Sequence, residues 1–65
     1  MATKMTGKDL TEISELLESE HLAYNKCVSY ATMVEDSVLR EKLGCWANNH
    51  RVRFEKLLSH LNSAQ

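Results

Sequence analysis

The chain has 65 residues, a formal charge of −1 from eight basic and nine acidic side chains, no proline and only two glycines. A chain this short makes one domain at most, and a core of that size supplies roughly 3–5 kcal/mol unless a staple or a partner adds to it. The near-neutral balance gives no basic footprint for a polyphosphate backbone, and no stretch reaches the roughly 18 apolar residues of a membrane span, so neither nucleic acid nor membrane is expected as a partner.

Residues 1–5 are expected as a disordered tail, and the opening MATKMTGKDL lacks the apolar run of a secretory signal, which points to a cytoplasmic protein. Thr6 and Asp9 have the spacing of a capping box, which starts helix 1 near Gly7. From there Leu10, Ile13, Leu17, Glu20, Tyr24, Cys27, Ala31 and Val34 recur at alternating three- and four-residue steps, the seam of an antiparallel bundle. Leu16, Leu22, Ala23, Val28, Tyr30 and Met33 widen this stripe beyond what one neighbouring helix can cover. Helix 1 is therefore predicted over about 7–34.

Glu35, Asp36 and Ser37 interrupt the pattern with side chains that compete for the backbone, so the turn is placed at 35–37, with Asp36 or Ser37 capping the second helix. Helix 2, predicted over about 37–61, carries Leu39, Leu43, Trp46, His50, Phe54, Leu57 and Leu61 on one stripe. Residues 63–65 read as a frayed end, and 6–62 as one antiparallel helical hairpin of an all-α fold. Two wide apolar stripes on two helices imply a second hairpin, a homodimer or a related hairpin, with Ile13, Leu17, Leu43, Trp46, Phe54 and Leu57 expected at the oligomer interface.

Each seam contains one polar residue. Counted from Asp36, Glu20 lies about 24 Å back and His50 about 21 Å forward at 1.5 Å per residue, so the two are nearly level. Facing each other, a carboxylate and an imidazole satisfy one another by a hydrogen bond or share a metal ion, and the first is the plainer reading. Tyr24, one turn from Glu20, is placed to extend this polar core. A twofold partner would double the set to two carboxylates and two imidazoles, a site for iron, manganese or zinc. Glu18 and His21 also have Glu-x-x-His spacing, but Glu18 lies off the seam and is expected to face water.

Cys27 and Cys45 each lie nine residues from Asp36, close to one level of the hairpin, and a reducing compartment keeps them as thiols. Tyr24, Tyr30, Trp46 and Phe54 sit at helical spacing and read as core or interface aromatics. No nucleophile with a base and an orienting group, and no glycine-rich phosphate loop, can be assembled from the remaining residues. Two helices also offer little concavity, so neither an enzyme nor a small-molecule site is expected.

The order of T-G-K-D-L from Thr6, L-L-E-S-E-H-L-A-Y from Leu16, E-D-S-V-L-R-E-K-L from Glu35 and N-H-R-V-R-F-E-K-L-L from Asn49 resembles the spore coat protein F-like family of endospore-forming bacteria. That family is a branch of the ferritin-like superfamily, and the resemblance covers residues 6–61. It implies a ferritin-like four-helix bundle made from two hairpins, a structural role associated with the spore coat, and metal ligands carried over only at Glu20 and His50. Ala47 stands where the carboxylate of a Glu-x-x-His pair on helix 2 would be. The leading expectation is thus a non-catalytic structural protein that self-associates, with a metal-binding ferritin-like module and an adaptor for a larger coat protein as the alternatives.

Overall fold

In a computed structural model the described residues, 5–63, form two helices: α1, Gly7–Met33, and α2, Ser37–Ser63. They are joined by residues 34–36 and pack against one another as an antiparallel hairpin. Each helix has 27 residues and so runs about 40 Å. The molecule measures 47 × 19 × 10 Å, a slab two helices wide and one helix thick. The first four residues of the expected tail and the last two of the expected frayed end lie outside the described residues.

Both helix starts follow from local side chains. The Thr6 hydroxyl accepts the Asp9 amide at 3.1 Å and the Asp9 carboxylate accepts the Thr6 amide at 3.2 Å, closing the capping box. At α2 the Asp36 carboxylate takes the amides of Val38 at 2.8 Å and Leu39 at 3.0 Å. It holds two of the four amides that a helix start leaves without partners.

Where α1 ends, Val34 turns to extended backbone while its amide still donates to the Tyr30 carbonyl. The Arg40 guanidinium reaches back from the first turn of α2 to the Val34 carbonyl at 2.8 Å. One basic side chain thereby ties the two helices together at the turn. The turn begins one residue earlier than the expected 35–37, because Val34 leaves the helix rather than ending it. Helix α2 also runs two residues beyond the expected end at Leu61, with Ser63 donating its hydroxyl to the His60 carbonyl. No glycine or proline follows Leu61 to stop it.

The core is thin. Among the described residues only Leu43, 7% exposed, and Ala47, 5% exposed, are buried, one turn apart on α2. Around them Ile13, Leu17, Glu20, Tyr24, Cys27 and Ala31 on α1, Val34 in the turn, and His50, Phe54, Leu57 and Leu61 on α2 are half-buried. Most of each stripe read from the sequence thus forms the seam between the two helices of one hairpin, while its members Leu10, Leu39 and Trp46 stay exposed. Large apolar side chains beside that seam stay exposed, among them Leu16, Tyr30, Leu39 and Trp46. A two-helix layer has no third element to set against them.

Candidate functional site

Glu20 is the middle residue of α1 and His50 the middle residue of α2, so the two polar seam positions meet half-way along the hairpin. His50 Nδ1 lies 2.6 Å from Glu20 Oε2, and the pair is mostly shielded from water. Hydrogen bonding by the His50 ring and the Arg53 guanidinium beside it hold the Glu20 carboxyl below its ordinary value, against the opposing effect of burial. With Glu20 ionised, a contact this short requires the proton on Nδ1, which donates to the carboxylate.

Arg53, one turn beyond His50 on α2, brings Nε to 3.3 Å from the other carboxylate oxygen of Glu20. Its Nη2 also approaches His50 Nδ1 at 3.1 Å. Since Nδ1 already donates to Glu20, that approach sets two donors face to face, and it is the carboxylate that holds the guanidinium. The cluster is therefore one carboxylate bridging an imidazole and a guanidinium. In the sequence Arg53 reads only as part of the basic run His50-Arg51-Val52-Arg53, one turn from His50 on a face that favours cations toward the helix C-terminus, with no sign of a carboxylate partner.

Tyr24 does not join this cluster: it is half-buried, but its hydroxyl makes no hydrogen bond among the described residues. Both Glu20 oxygens are already engaged by His50 and Arg53. Glu18 and His21 are exposed; the His21 ring lies 6.1 Å from Phe54 and hydrogen-bonds Asn25, and it makes no ion pair with a carboxylate among the described residues. Cys27 is half-buried and Cys45 exposed, both as free thiols. Cys45 lies two residues from each of the buried Leu43 and Ala47, about 200° round the helix, so it turns away from α1.

Metal binding is measured against this donor set. Among the described residues no three His, Cys, Asp or Glu side chains converge. Glu20 and His50 supply two donors where a resident ion takes three or four protein ligands, and the third group at the cluster is a cation. The residues of one hairpin do not fit a metal. What they do fit is a polar pin: a charge-assisted bond between helix midpoints that fixes the register of α1 against α2.

Of the six residues expected at an oligomer interface, Leu43 is already buried within the hairpin and leaves no surface for a partner. Ile13, Leu17, Phe54 and Leu57 are half-buried along the seam, and Trp46 alone is largely exposed, at 48%. The seam is occupied by the other helix, so a second hairpin would have to meet the flanks of the seam first. No helix among the described residues is long and apolar enough to cross a membrane. No protein-family model, curated protein or solved structure matches the chain.

Proposed function

We propose that this is a small, non-catalytic structural protein that acts by self-association, two hairpins closing on one another as the two layers of a four-helix bundle. The observation that carries this reading is the incompleteness of the single layer: two 27-residue helices bury only Leu43 and Ala47, while ten large apolar side chains remain exposed. Apolar surface on that scale, on one small chain, is a binding surface rather than a solvated one. The likeness to coat protein F-like sequences adds a place for such a module, within the spore coat, and that placement rests on the resemblance alone.

Sedimentation at micromolar concentration tests the self-association. The expected species has twice the 7.4 kDa mass of the chain. A compact, fully helical monomer would leave the exposed apolar side chains without a purpose and would overturn the reading.

A further inference from the structure

The broad faces of the slab are not equivalent. Two contacts across the hairpin identify them: Arg53 reaches Glu20 on one side, and the His21 ring meets Phe54 on the other. At about 100° per residue, Leu16, Ala23 and Tyr30 fall on the Arg53 side of α1, and Leu39 and Trp46 on the same side of α2. These positions recur at heptad intervals, 16, 23 and 30 on one helix and 39, 46 and 53 on the other. The opposite face carries three exposed large apolar side chains, Leu10, Val28 and Leu58, among His21, Asn25, Arg40 and Arg51, and neither exposed aromatic.

We infer that the face bearing Leu16, Ala23, Tyr30, Leu39 and Trp46 is where a second copy of this chain docks, in a twofold dimer whose axis runs along the hairpin with both turns at one end. This deepens the proposed self-association and rests on it. The register set by Glu20 and His50 pairs residues whose numbers sum to about 70, placing Ala23 level with Trp46 and Tyr30 level with Leu39. A small residue thus sits beside the largest side chain at one level of one face. A twofold axis along the hairpin lays α1 of one copy over α2 of the other, so each Trp46 seats over the second copy's Ala23, and each Tyr30 over its Leu39.

That self-complementarity singles out a second copy over an unrelated partner, because an isologous contact needs the knob and its recess on the same patch. Leu16 lands on the aliphatic stem of Arg53, whose charge Glu20 already holds. The footprint is also adequate: a face of 47 × 19 Å matches the roughly 800 Å² per partner of a stable interface. Trp46 and Arg53 lie near its centre, with Glu12 and Lys42 on the same face toward its ends and Lys26 and Lys56 toward its outer edges.

Trp46 is the single tryptophan of the chain, so its fluorescence reads this face directly. In the wild-type protein, iodide quenching should fall and emission shift to the blue over the concentration range in which sedimentation shows dimer forming. Leu16→Glu, at a position 51% exposed in the hairpin and so with few contacts inside it, should weaken the dimer by about thirtyfold. Leu58→Glu on the opposite face should change it by no more than about twofold. A dimer in which Trp46 stays open to iodide, or which Leu58→Glu disrupts and Leu16→Glu does not, would overturn the assignment of the face while leaving self-association standing. A wild-type monomer by sedimentation would remove both.

Discussion

Leu43→Ala is expected to remove about 2–5 kcal/mol of stability, comparable to everything a core of this size supplies, and to leave most of the chain unfolded at low micromolar concentration. Leu43 is the one large side chain buried among the described residues, and Ala47, its neighbour one turn on, offers no bulk to fill the space it would vacate. Circular dichroism against urea reads the loss. Leu22→Ala is the matched control: Leu22 is 53% exposed and sits on neither broad face, so its removal should shift stability by no more than about 0.5 kcal/mol. Equal losses at the two positions would mean that the packing along α2 is not where the stability resides.

Acidification should weaken the protein through Glu20. Its carboxyl is held low in the folded state, first by the hydrogen bond from His50 and then by Arg53, against the opposing effect of burial. The unfolded chain therefore takes up a proton at higher pH than the folded chain does. The contribution of Glu20 is fully present above the ordinary carboxylate value of about 4.3 and is lost as pH falls through the lower folded value.

Glu20→Gln keeps the shape and removes the charge. It should lower stability at neutral pH by about 1–2 kcal/mol, less than a fully buried charged bond would give because the cluster is partly open to water. It should also flatten the acid limb of the stability curve. Urea midpoints measured between neutral pH and the acid side of the carboxylate range check this. An acid limb equally steep in the variant would place the titrating group elsewhere.

How far the sequence foretold these features depended on how local each one is. The capping box at Thr6 and Asp9 was legible because its partners lie three residues apart, and the Asp36 cap for the same reason. The level meeting of Glu20 and His50 followed from counting along two uninterrupted helices about one turn, since antiparallel helices of equal length place their midpoints together. Arg53 was missed because its partner is thirty-three positions away in the chain and is reached only through the fold. Tyr24 was over-read for the complementary reason: its spacing put it within reach of Glu20, and nothing local showed that Arg53 had already taken the second oxygen.

The seam residues are legible as a set, but not which helix they meet: Leu43 is buried inside the hairpin, and Ile13, Leu17, Phe54 and Leu57 are half-buried along the same seam. A stripe of alternating threes and fours marks the side of a helix that meets another helix, whether in the same chain or in a second one. Leu43 met α2's own partner, α1, and was spent there. Leu16, Ala23 and Tyr30 were legible as a widening of the α1 stripe and Leu39 and Trp46 as members of the α2 stripe; which broad face they share emerges only from the Arg53 and His21 contacts that fix the two sides.

The proposal that this single layer of two helices needs a second copy to close its core is tested most directly by the thermal midpoint as a function of protein concentration. If folding requires a second copy, the midpoint should rise steadily across a hundredfold range of concentration, because mass action stabilises the associated state. A midpoint independent of concentration, with full helix content at the dilute end, would mean that the single hairpin holds itself together and would contradict the need for a partner.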